Sequence, residues 1–412
     1  MVLYLPAAVF AVSVLLVFPG CMPEEDKQQD KGYPDALKQV HAEAFFNTGL
    51  RGRGVKIGIL DFGFGNLRED PSVRHLVLNG QIMMTVDYTR GDSSVFHRNV
   101  HGTNVLRYMA GIDSNDTLYG GSLAREASFY LGMVTPNFDK KSDERATEYV
   151  IDSAIGDLFS KGVRLVNLSM GFWDEYENED QNYTAGQMDG QTTVVTKVCQ
   201  KWALKGMIIV NSAGNTGEYK WKIIWAPSDA PDVISVGAAR FPDMVFKASY
   251  SGRGNPAMSY VKPELIAFTP WGTSYSAPVV TGIIACMLQK DTALTLQRIR
   301  NILFRSATLY PFPNNFVGYG VPDARKILAL MADPEAGLSS VTKVEVPGRR
   351  YVVRTSGPNN VVFEKSDHYR VRRQYIDEGT DGTVVLRRSD AVKFTTVVTG
   401  ETAYEIIWTT SK

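Results

Sequence analysis

Five short runs of apolar, largely β-branched residues constrain the fold of this chain most: VKIGIL at 55–60, ASFYLGMV at 127–134, VRLVNLS at 163–169, MIIVNS at 207–212 and DVISVGA at 232–238. None of them alternates apolar with polar residues, as a strand wetted on one face must. Strands covered on both faces read this way. Between the runs, apolar residues recur three and four positions apart at 143–161, 186–205, 275–290 and 294–306, and these stretches are predicted helices. In the last, Leu294, Ile299, Ile302 and Leu303 share one face and leave Arg298, Arg300 and Arg305 to others. The alternation predicts an α/β domain, a doubly wound parallel sheet, over residues 36–333.

After Pro334 the texture changes. VTKVEV, RRYVVRT, NVVFEK, GTVVLRR, VKFTTVV and YEIIWTT follow at close spacing, separated by Gly, Asp, Asn and Ser. Short strands with turn signals between them predict a small C-terminal all-β sandwich domain over 334–412. A length of 412 residues agrees with more than one domain. With 44% hydrophobic and 21% charged residues the chain can bury a core. Its 44 basic residues balance 44 acidic ones, so no net field draws it onto nucleic acid. Cys21, Cys199 and Cys286 are too few for a disulfide scaffold and lack the paired spacing of a zinc site, so no metal and no cofactor are predicted. Cys199 and Cys286 fall on helical stretches and are expected to be buried, unpaired thiols.

Residues 2–20 are almost wholly apolar, Gly20 precedes Cys21, and Glu24, Glu25 and Asp26 begin a polar stretch. This reads as an export signal over 1–20 followed by a solvated tether over 21–35. It resembles a bacterial lipoprotein signal, which implies lipidation of Cys21 and a membrane-anchored protein of the cell envelope. Phe18 and Pro19 depart from that pattern and no Lys or Arg precedes the apolar run, so an uncleaved anchor or a start further upstream is the competing reading.

Four residues stand where chemistry is expected. Asp61 ends the VKIGIL strand before the turn Phe62–Gly65, at the sheet edge where open α/β folds bind ligands, although an Asp there also caps turns. His101 opens HGTNVLRYMAG, in which Gly102 allows close backbone approach and Val105, Leu106 and Met109 form an anchoring apolar face; a lone His is more often structural. Asn215, in IIVNSAGNTGE, lies in a Gly-flanked loop after a buried strand, where its amide can donate to developing negative charge or simply supply turn geometry. Ser274, in GTSYSAPVVTGIIACML, begins an apolar helix whose free amides favour an oxyanion, though a Ser there is usually a cap. Pro278 fits only near the first turn of that helix. The segment is not GxSxG, which disfavours an α/β-hydrolase elbow.

The order Asp61, His101, Ser274 is that of subtilisins. GILDFGFG, HGT, SAGN and GTSYSAP resemble the four signature blocks of the subtilisin-like serine peptidase family. NLSMGF at 167–172, WAPSDAPDVISVGAA at 225–239, YSGRG at 250–254, KPELIAF at 262–268 and GYGVPDARKIL at 318–328 extend the likeness over roughly 45–330. The resemblance implies a subtilisin-like fold and a serine endopeptidase acting on protein or peptide substrates, with Asp61, His101 and Ser274 as triad and Asn215 in the oxyanion hole. It implies that Leu168, Ser169, Met170 and Gly171 pair with substrate as an added strand. Met170 and Phe172 suggest apolar pockets, hence a mild preference for apolar or aromatic residues before the cut. The family often binds structural calcium, but no ligand cluster maps onto this chain. Phe62 stands where Ser or Thr is common, and Asn104 where a second His is frequent. The span from Cys21 to Gly54 is too short for the folded inhibitory prodomain of many relatives, which implies maturation without one. Two other readings use the same residues: an inactive surface lipoprotein that only binds a partner, and a peptide ligase passing the acyl group to an amine. The oligomeric state is not readable from the sequence.

Overall fold

The computed structural model describes residues 32–96, 99–113, 119–135, 145–174, 176, 178–337 and 341–409. The apolar leader at 2–20, Cys21 and most of the predicted tether lie outside these residues. Helices α1 (Gly32–Gln39) and α2 (Glu43–Asn47) precede strand β1 (Lys56–Asp61). Then come α3 (Arg74–Leu78), β2 (Ile82–Asp87), α4 (His101–Ala110), β3 (Ser128–Met133), α5 (Ala146–Ser160) and β4 (Leu165–Leu168). Helix α6 (Val194–Leu204) leads into β5 (Ile208–Ser212), β6 (Ile234–Ala239) and β7 (Leu265–Phe268). Helices α7 (Thr273–Lys290), α8 (Leu296–Ser306) and α9 (Ala324–Ala332) follow.

The seven strands form one parallel sheet in the order β2-β3-β1-β4-β5-β6-β7. Period-two side-chain alternation puts Ile57 and Ile59 of β1 in the same apolar cluster as Val105 of α4 and Val280 of α7, and Leu60 in the opposite one with Ile151 and Leu158 of α5. Both faces are covered, which is why the five runs lacked polar alternation. The sequence reading missed two strands, β2 and β7, which are the two edges of the sheet. Strand β2 is partly exposed along most of its length and does not read as a buried run, whereas β7 is buried but only four residues long. Helix α1 begins inside the predicted tether because Tyr33, Ala36, Leu37 and Val40 form an apolar face, with Pro34 tolerated in the first turn.

Helix α7 runs through the middle of the domain. All its side chains from Thr273 to Leu288 are buried, and it packs on α4 and across β4 to β7. A helix apolar all round belongs in such a place.

The C-terminal strands are β8 (Val341–Pro347), β9 (Arg350–Arg354), β10 (Asn360–Lys365), β11 (Val371–Asp377), β12 (Thr383–Arg387), β13 (Phe394–Thr399) and β14 (Thr402–Thr409). Five of them form a sheet, β11-β10-β13-β14-β8, and β9 pairs with β12 as a separate ribbon. The alternation is visible on β10: Val361 and Phe363 join the main core, whereas Val362 faces the ribbon residues Val353, Val384 and Leu386. Polar ties reinforce the docking, from Val371 N to Asn315 Oδ1 (2.8 Å), Tyr369 Oη to Met258 O (3.0 Å) and Gln374 Nε2 to Lys247 O (2.9 Å). The strand missed here, β11, is again an edge, and it carries charge. No helix among the described residues is long and apolar enough to cross a membrane.

Candidate active site

Strands β1, β4 and β5 end side by side, so Asp61, the 169–171 segment and the loop through Asn215 emerge along one edge of the sheet. Asp61 is wholly buried there. Its Oδ1 accepts from the Phe62 amide at 2.8 Å and lies 2.7 Å from His101 Nδ1. An ionised carboxylate can only accept, so the fitting tautomer carries its hydrogen on Nδ1 and leaves Nε2 as the base. Asp61 Oδ2 is buried and has no hydrogen-bond partner among the described residues. The neighbouring Phe62 has no hydroxyl to offer it.

His101 is the first residue of α4, and its backbone is set by two contacts. Its own amide donates to Asn99 Oδ1 at 2.7 Å, and Gly102 N donates to Gly63 O at 3.0 Å. A Cβ on Gly102 would fall 2.7 Å from that carbonyl, so the approach requires glycine. The imidazole lies between aromatic rings, with Phe62 edge-on at 5.5 Å and Tyr275 at 5.7 Å. Tyr275 in turn stacks on Tyr108 at 5.1 Å. Because Tyr275 directly follows Ser274, the base and the serine share one corner of the edge.

Ser274 is the second residue of α7, and its amide is one of those at a helix start without an intrahelical acceptor. Its hydroxyl donates to Ser169 O at 3.3 Å, and Ser169 Oγ donates to Ser274 O at 2.8 Å. Pro278 stands at the sixth position of the helix, in its second turn. Having no N–H, it leaves the carbonyl of Ser274, four residues back, without its helical donor. The Ser169 hydroxyl supplies the donor instead. A buried relay aims that hydroxyl: Thr281 Oγ1 donates to Asn167 Oδ1 (2.9 Å), and Asn167 Nδ2 donates to Ser169 Oγ (2.9 Å).

Asn215 reaches the same place from β5. Its Oδ1 accepts from both the amide and the hydroxyl of Thr273, at 2.9 and 3.0 Å, which turns Nδ2 out as the donating end. Thr273 Oγ1 also accepts from Gly214 N at 3.0 Å. Thr273 therefore clamps the loop and the helix start together, and the sequence reading passed over it although it adjoins Ser274.

The predicted substrate edge divides in two. Asn211 Nδ2 donates to Leu168 O at 2.6 Å and to Met170 O at 2.8 Å, so these carbonyls face inward. Ser169 and Gly171 are left to pair outward. Met170 and Phe172 are buried in the same apolar cluster as Tyr176. Asn167 and Asn211 had a sequence signal, a polar residue inside an otherwise apolar strand. Behind the edge, Glu148 accepts from Tyr176 Oη, Tyr183 Oη and Val195 N, and burial pushes its carboxyl above the usual range.

Cys199 and Cys286 are buried free thiols, each pushed far up by burial, which makes them poor nucleophiles. Among the described residues no group of three or more His, Cys, Asp or Glu is placed to hold a metal.

The chain is 26% identical to subtilisin DY of Bacillus licheniformis over 285 residues, 67% of this chain and 91% of that protein. It is also 26% identical to subtilisin BL of Lederbergia lenta, over 71% of this chain and 97% of that one. Among solved structures, the Clostridium perfringens CspB protease superposes with a TM-score of 0.56 at 16% identity, covering 73% of this chain and 99% of that one. The MycP3 protease of the type VII (ESX-3) secretion system gives 0.54 at 19% identity, covering 71% and 87%. The last two likenesses concern the fold. The subtilase family profile matches residues 52–320, nearly the whole span from the loop before β1 to the turn before α9, and the chain therefore belongs to the subtilase family.

Proposed function

We propose that this protein is a serine endopeptidase that cuts peptide bonds through an acyl-enzyme on Ser274. In this reading His101 Nε2 takes the Ser274 proton as Oγ attacks the scissile carbonyl, and Asp61 steadies the imidazolium. The tetrahedral oxyanion accepts from Asn215 Nδ2 and the Ser274 amide. Collapse expels the amine, which takes the proton from His101. Water then repeats the sequence to free the acyl half and restore the hydroxyl. The observation that carries the reading is the 2.7 Å Asp61–His101 bond beside the start of the Ser274 helix. A fluorophosphonate probe tests it. Labelling that maps to Ser274 and is lost in Ser274→Ala is expected; a folded protein that takes no label is a binding protein instead. Adding a competing amine and analysing the products separates hydrolysis from ligation.

The apolar run at 2–20 supports export, and Gly20–Cys21 supports lipidation of Cys21 and anchoring in the cell envelope. Mass spectrometry of the mature N-terminus checks both. A lipid adduct on Cys21 is expected, and an unmodified Cys21 or an intact leader rejects it.

A further inference from the structure

The residue on the acyl side of the cut must place its side chain somewhere, and the site geometry, taken with the peptidase reading on which this inference rests, says where. Ser274 Oγ lies 3.3 Å from Ser169 O, so an acyl carbon bonded to Oγ sits beside that carbonyl. With its oxygen turned to Asn215 Nδ2 and its chain paired along 169–171, its side chain points into the slot between that edge and the loop 213–215.

Trp225 already occupies the slot. A Cβ on Gly214 would fall 2.5 Å from Trp225 Cδ2, and one on Gly171 would fall 2.7 Å from Trp225 Cβ and 3.0 Å from Cε3. Both walls thus carry a glycine where the tryptophan touches them. The residue is stitched in place: Nε1 donates to Thr216 Oγ1 at 2.8 Å, and Trp173 stacks on the ring at 3.7 Å with the planes 9° apart. The Trp225 amide donates to Ala213 O at 3.2 Å. The next residue, Ala226, pairs in both directions with Phe172, at 2.8 and 3.1 Å. The floor of the slot is therefore tied to both of its walls.

We propose that Trp225 is a specificity-determining residue that plugs this pocket, so that the enzyme takes peptides with Gly, Ala or Ser before the cut and rejects aromatic and long aliphatic residues. A large side chain would have to expel the indole, breaking its hydrogen bond and its stack. This reverses the apolar or aromatic preference expected from Met170 and Phe172, whose side chains are 3% and 7% exposed.

The test uses the full chain and two peptides that differ only in Ala or Phe before the cut. The readouts are kcat/KM and, on Ser274→Ala protein, the Kd of the same peptides. The wild type is expected to favour Ala by about 100-fold, and Trp225→Gly and Trp225→Ala to shift the ratio toward Phe by about as much. Trp173→Ala, which unstacks the ring, shifts it the same way by less. Trp225→Leu serves if the smaller residues unfold the protein. Equal handling of Ala and Phe by the wild type, or an unchanged ratio in a folded Trp225 variant, overturns the proposal. Selective binding of the Ala peptide without hydrolysis by the wild type would sink the peptidase reading and leave the plugged pocket standing.

Discussion

Ser169 and Ser274 are tied reciprocally: each hydroxyl donates to the other residue's carbonyl, at 2.8 Å from Ser169 and 3.3 Å from Ser274. The nucleophile's helix and the substrate edge are thereby one mechanical piece, and Pro278 is what makes the Ser274 carbonyl available to the bond. Ser169→Ala removes the donor. It is expected to lower kcat about tenfold with little change in KM, the size of one hydrogen bond, and Ser169→Thr should recover part of the loss. Steady-state kinetics on one peptide checks this, and an unchanged kcat would mean that the tie does not position the nucleophile.

Thr273 acts through Asn215. Asn215→Ala is expected to lower kcat by about 10²–10³, the effect known for such a donor in a subtilisin. Thr273→Val removes the hydroxyl bond to Asn215 Oδ1 and leaves only the backbone one, so the amide is held less firmly and the change should cost up to about tenfold. The double variant should be no worse than Asn215→Ala alone, because the second change acts only by way of the first. Additive losses would assign Thr273 a separate role.

Asp229 makes stability depend on pH in an unusual direction. It is 0% exposed, and burial raises its pKa from 3.8 to about 6 despite hydrogen bonds from Thr196 Oγ1 and Gly190 N. Between these values the folded state holds a proton that the unfolded chain has released, so this group's contribution falls as pH rises from about 4 to about 6. Above that window both states are ionised and the penalty is constant. The stability difference between wild type and Asp229→Asn should therefore move against the wild type by a few kcal/mol across the window. Urea unfolding at pH 4 and pH 7 measures it, and a pH-independent difference contradicts the assignment.

In the C-terminal sheet the buried pair Lys365–Glu405, at 2.7 Å, faces no water. Thr396 Oγ1 adds a second bond to the Glu405 carboxylate, at 2.7 Å. Glu405→Ala leaves a buried ammonium uncompensated and should cost about 3–5 kcal/mol, whereas the double change Lys365→Met with Glu405→Leu should be near neutral. Thermal unfolding of the three proteins distinguishes a pair held for stability from one that is only tolerated.

What the residues determined by themselves was everything that depends on local pattern. Runs such as VKIGIL and MIIVNS announce strands buried on both faces. Asp61, His101, Asn215 and Ser274 each carry a sequence block that specifies a strand end, a helix start or a Gly-flanked loop. Edge strands β2 and β11 escaped because they are partly wet and β11 carries charge, which blurs the apolar signal, and β7 escaped because its buried run is only four residues long. Only the tertiary structure decided how separate blocks meet. It showed the carbonyl left over by Pro278 going to Ser169, Asn215 held by Thr273, and the indole of Trp225 lying between Gly171 and Gly214. Trp225 stands in plain sight in WAPSDAP, yet nothing local reveals that it fills a slot built by two other segments. Space between chain segments is a property of packing, and no residue pattern along one segment encodes it.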